Sequence, residues 1–138
     1  MDVLLIVQDP LVRDMIAIGF ENVPETEVVA AAGPTAVDRA RNKKFDVVFM
    51  GHDPREKENS EGNAEDVIAR LREIDKEAEA VVVTDARSAK TLGEKRDKLG
   101  PCSFLRTPIQ PNEFFRLAVR LRSRRSQAAG ARPPKGGR

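Results

Sequence analysis

With 138 residues, 40% of them hydrophobic and 33% charged, the chain suits one water-soluble domain with a sizeable core; no apolar run approaches the ~20 residues that a membrane span needs. Cys102 is the single cysteine, which excludes an internal disulfide and points to a reducing, cytoplasmic setting; the opening MDVLLIV lacks the basic leader and cleavage site of a signal peptide. The net charge of +2 hides a split: residues 1–115 hold 16 Lys/Arg against 22 Asp/Glu, a balance of −6, whereas residues 116–138 hold 8 Lys/Arg and no acid.

The elements alternate. An apolar run over 2–7 reads as a buried strand. Residues 10–22 read as a helix, with Asp9 at its N-cap, Pro10 at the first helical position, and Val12, Ile16 and Phe20 as its apolar stripe, flanked by Leu11, Met15 and Gly19. A second strand is expected over 27–33, and a helix capped by Thr35 over 35–44. The third strand is DVVFM, over 46–50. Val67, Ile68, Leu71 and Ile74 then mark a helix over 64–74. AVVVT, over 80–84, is the fourth strand. Residues 87–100 make a weak helix, with Gly93 in its middle and only Ala89, Leu92 and Leu99 to bury. CSFL, over 102–105, is a short fifth strand. The last helix, over 111–125, turns Phe114, Leu117, Ala118 and Leu121 inward. Five apolar strands alternating with helices predict an α/β fold, a doubly wound parallel sheet covered on both faces. The domain is expected to span 1–125, and 126–138, rich in Gly, Pro and Arg, to form a disordered basic tail.

One stretch stands out. FDVVFMGHDP runs from a strand into loop residues at Gly51, where an α/β fold places its chemistry, and Gly51 has no side chain to offer. Over 1–125 the sequence resembles the receiver domain of bacterial two-component response regulators. The likeness lies in LLIVQDPLVRDMI, FDVVFM before the third loop, VVVT closing the fourth strand, and LGPCSFLRTPIQPNEFFRLAVRL near the end. The resemblance implies a five-stranded flavodoxin-like receiver fold. It also implies a reaction, in which an Asp ending the third strand takes a phosphoryl group from a histidine kinase. Two acidic residues after the first strand hold Mg²⁺, and a Thr or Ser and a Lys bind the phosphoryl oxygens.

Carried over position by position, most of that apparatus is missing. The acidic pair falls on Val7 and Gln8, or on Gln8 and Asp9 after a one-residue slip. The phosphoacceptor falls on Gly51 and the Lys on Thr107. Thr84 keeps its hydroxyl, and Phe104 is the counterpart of the family's switch aromatic. The resemblance therefore implies an atypical receiver with a vestigial pocket, no cofactor, no metal and no enzymatic activity, signalling through protein–protein contact. The competing reading is a working phosphoacceptor that uses Asp53, displaced by two residues, together with Asp9.

His52, the lone histidine, reads as a surface or pocket-lining side chain, since a metal site needs more ligands. Cys102 reads as a small residue packed at the start of a strand. The charged loop over 51–63 reads as a solvated connection or a recognition loop. The weak fourth helix, fifth strand and fifth helix offer a basic face of Lys90, Lys95, Lys98, Phe104, Arg106, Arg116 and Arg120. In the family, that surface is the usual docking or dimerisation face, so the expected partner is a protein of a bacterial signalling pathway or a second copy. Nucleic-acid binding through the Arg-rich end is the weaker reading, because without Trp or Tyr there is little aromatic surface for stacking.

Overall fold

The computed structural model describes residues 1–31, 36–52, 64–95, 97, 100 and 102–130, the last seven of these for their backbone alone. The connection over 53–63 that holds Asp53, the expected helix cap Thr35, and the positions of Lys98 and Leu99 lie outside the described residues, as does the chain after Gly130.

Five strands, β1 (Asp2–Ile6), β2 (Glu27–Ala30), β3 (Val47–Gly51), β4 (Glu79–Thr84) and β5 (Cys102–Arg106), form one parallel sheet in the order β2-β1-β3-β4-β5. Among the described residues, the α-helices α1 (Pro10–Phe20), α2 (Ala64–Ile74), α3 (Ala86–Gly93) and α4 (Pro111–Gly130) and a 3₁₀ helix (Ala36–Arg41) connect and cover it. The alternation of side chains along each strand builds two cores. Val3, Leu5, Val47, Phe49, Val81 and Val83 pack against Ile16 and Phe20 of α1 and Phe114, Leu117, Ala118 and Leu121 of α4. Leu4, Val48, Met50, Ala80 and Val82 pack on the other face against Val37, Ile68, Leu71 and Leu92. The central strands are apolar over residues 3–6, 47–50 and 80–83, on both sides of the sheet, because both of their faces are covered.

Phe20 joins the layers of the first core. Its ring meets Phe49 edge-on at 5.5 Å between centroids and Phe114 at 5.1 Å. Next to it, a Cβ added to Gly19 would overlap the Phe114 ring, so a glycine lets α1 and α4 approach closely.

Several elements differ from expectation. Gly51 is the last residue of β3, paired with Val83, rather than the first residue past the strand. The second helical segment is 3₁₀ and ends at Arg41. Its Asp38 pairs with Arg41 at 3.5 Å, an i,i+3 contact that suits a helix in which those positions eclipse, and with Arg70 at 3.6 Å. The fourth helical segment stops at Gly93, where i−3 bonds such as Lys95 N–H to the Leu92 carbonyl (2.9 Å) tighten its end. The final helix runs on to Gly130, so residues 126–130 are helical where a disordered tail was expected. Leu11 and Met15 do not join the buried stripe of α1; both are exposed.

Candidate functional site

The strand order reverses at β1, whose two neighbours are β2 and β3, and the carboxyl edge beside that reversal is where folds of this class hold ligands. The register brings the expected residues to this edge. Val7 follows Ile6, the partner of Met50, and Gly51 lies across from Val83. Thr84 pairs with Arg106, and its carbonyl accepts the Thr107 N–H at 2.9 Å. The Thr107–Pro108 peptide is cis.

Val7, Asp9 and Thr84 each have a structural role. Val7 is buried and packs with the first core, while Gln8 is exposed. Asp9 caps α1: one of its carboxylate oxygens accepts the N–H groups of Leu11 (3.0 Å) and Val12 (3.4 Å). A Cβ at Gly51 would meet nothing within 4 Å, so the site where a nucleophile would stand is open space. Thr84 is buried, and its hydroxyl donates to the His52 carbonyl at 3.2 Å. Phe104 is half-buried against the second core, with its ring 3.9 Å from where a Gly93 Cβ would stand.

His52 has a role that its sequence context does not reveal. Its backbone N–H donates to the Val83 carbonyl at 3.1 Å, and its Nδ1 accepts the N–H of Ala64, the first residue of α2, at 3.0 Å. The ring thus caps a helix from twelve residues away, which requires the neutral ring to hold its proton on Nε2. No local pattern marks a cap supplied across a loop of that length. Asp85, which sequence reading passed over, caps α3 by accepting the Ser88 N–H at 2.7 Å. That bond holds its carboxyl below the ordinary value of 3.8. Among the described residues, no three His, Cys, Asp or Glu side chains are grouped to hold a metal ion.

On the expected contact face, Lys90, Lys95, Arg106, Arg116 and Arg120 are all exposed. Lys95 pairs with Glu65 at 3.2 Å and Arg106 with Glu113 at 3.5 Å. Arg120 donates to the Ser103 hydroxyl at 2.8 Å, and that hydroxyl donates to the buried Glu79 carboxylate at 2.8 Å. Cys102 is half-buried beside the second core. No described helix is long and apolar enough to cross a membrane.

No protein-family model matches the chain, and no curated protein matches it. Solved structures do. The chemotaxis response regulator CheY4 of Vibrio cholerae superposes with a TM-score of 0.70 at 19% identity, over 87% of this chain and 97% of that one. The receiver domain of AraT, a response regulator from Geobacillus stearothermophilus, gives 0.73 at 21% identity, over 92% and 97%. A streptococcal protein, from a family of redox sensors evolved from two-component response regulators, gives 0.74 at 12% identity, over 94% of this chain and 55% of that one. These neighbours are receiver-type structures, and the chain has their flavodoxin-like, five-stranded parallel fold.

Proposed function

We propose that this chain is a pseudo-receiver: a response-regulator-like domain, not an enzyme, that acts through protein–protein contact without aspartyl phosphorylation. The observation behind this reading is Gly51, at the carboxyl end of β3 with open space where a side chain would stand. Three neighbouring facts agree with it. Val7 is committed to the core, the Asp9 carboxylate caps α1, and the Thr84 hydroxyl is bonded to His52. Phosphoryl transfer needs a nucleophile together with cations that neutralise the moving charge, and Thr107 supplies no cation where the resemblance calls for Lys. The streptococcal redox sensors are a separate case of a receiver-derived fold put to another use.

The partner surface in this reading is the basic side of α3, β5 and α4, where Lys90 and Arg116 stand exposed. Such a face suits an acidic protein surface better than a second copy of itself, because like charges brought together repel.

The test is to incubate the chain with acetyl phosphate or carbamoyl phosphate and Mg²⁺ and to read the intact mass. An unmodified chain is the expected result. A stable phosphoryl adduct mapping to Asp53 would establish the displaced phosphoacceptor instead.

A further inference from the structure

Every exposed large hydrophobic among the described residues lies on α1 or α4: Leu11 (71% exposed), Phe115 (66%), Ile18 (58%), Val119 and Met15. The spacing explains how they gather. Leu11, Met15 and Ile18 fall at i, i+4 and i+7 and share one face of α1, and Phe115 and Val119 are four apart on α4. The two helices pack side by side on the same sheet face through Gly19 and Phe114. Helical periodicity turns Met15 and Leu11 from the Gly19 side toward solvent. Arg122 of α4 reaches Glu25, just beyond α1, at 4.0 Å, whereas Arg120 reaches Ser103 on β5. Phe115 and Val119 are therefore on the α1 side of α4. The apolar residues gather in one patch astride the seam between the helices, and a contiguous exposed apolar patch rimmed by polar residues is the usual form of an interaction site.

The rims of the patch differ in sign. Past Leu11 and Ile18, away from α4, stand the exposed acids Asp14 and Glu21. Past Val119, away from α1, stand the exposed bases Arg116 and Arg120. A two-fold rotation about an axis parallel to the seam lays α1 of one copy over α4 of the other. It matches apolar residues with apolar residues and places each acidic rim against a basic one. A two-fold axis across the seam would instead set α1 against α1 and acid against acid. The patch is self-complementary in the first arrangement only, and isologous pairing is the commonest way for identical chains to close.

We propose that the α1–α4 face binds a second copy of this chain in a two-fold dimer with α1 packed on α4 of the partner. The face is distinct from the carboxyl edge of the sheet, so the inference does not depend on the pocket being silent. Five side chains make a small contact beside the about 20–30 residues a side of a standard stable interface, so the dimer is weak and concentration-dependent.

Sedimentation of the full chain from about 1 µM to about 1 mM tests it. The mass should rise from that of the 15.3 kDa monomer toward twice that value. Phe115→Glu and Ile18→Glu, at exposed positions that leave the fold intact by circular dichroism, should each weaken association at least about tenfold. Asp14→Arg and Arg116→Asp should each weaken it, and the two together should restore it. A chain that remains monomeric throughout overturns the proposal, as does a dimer indifferent to Phe115→Glu. A double charge reversal that fails to restore association overturns the pairing of α1 with α4.

Discussion

The carboxyl edge of the sheet and the α1–α4 seam have been treated in opposite ways. At the edge, the groups that could do chemistry are turned to structural ends: Asp9 and His52 cap helices and Thr84 ties β4 to the end of β3. At the seam, side chains that could have been buried or made polar are instead left apolar and exposed. The difference teaches where to look for function in this chain. Reactivity depends on unsatisfied, charged groups gathered at one place, and the edge has none gathered among its described residues. Association depends on apolar surface with matched charge around it, and the seam has both.

The largest effect expected is at the seam itself. Gly19→Ala drives a methyl group into the Phe114 ring and should destabilise the fold by about 1–3 kcal/mol in urea unfolding, with the loss concentrated in α1 and α4 by amide hydrogen exchange. A neutral outcome would mean that the two helices are not closely packed, and the comparison would lose one side. Thr84→Val keeps shape and removes the hydroxyl, and should cost about 1 kcal/mol for the bond to the His52 carbonyl. No change would indicate that this hydroxyl is held in reserve for a ligand rather than spent on structure.

The Asp85 cap gives a pH-dependent test. Its folded-state carboxyl ionises below the ordinary value, so the charge contributes stability above pH 3.8 that is lost as pH falls further. Asp85→Asn, with a similar shape and no charge, should melt below the wild type at neutral pH, and the gap should close below about pH 4. A gap that persists at lower pH would mean that shape, not charge, is what α3 uses. The smallest effect is expected at Gly51. Gly51→Asp should shift stability by less than about 0.5 kcal/mol, since its side chain enters open space. On the proposed reading it should also remain unphosphorylated, because Thr107 supplies no cation beside it.

Much of the fold is legible in the chain. The short, valine-rich apolar runs of β1, β3 and β4 read as strands covered on both faces, and Phe114, Leu117, Ala118 and Leu121 are buried as their spacing predicts. What sequence could not resolve is which side of a doubly apolar helix faces inward. In α1, Leu11 and Met15 are as apolar as Val12 and Ile16, and the sheet covers only one side of the cylinder. The same blindness to long-range geometry hid His52, whose partner Ala64 lies across a loop, and let the weak fourth helix be drawn through Gly93. At the site, the sequence shows that Gly51 and Thr107 bring neither a carboxylate nor a cation. What the surviving polar groups now do became visible only with the hydrogen bonds of Asp9, His52 and Thr84.

The most direct measurement is a Mg²⁺ titration of the isotopically labelled chain, followed by the amide signals of Asp9, Gly51, His52, Thr84 and Thr107. The account predicts that these signals stay in place through millimolar Mg²⁺, because the described residues of the edge offer no set of carboxylates to hold the ion. A saturable shift centred on Asp9 and Gly51 would show a working cation site at the carboxyl edge and contradict the account.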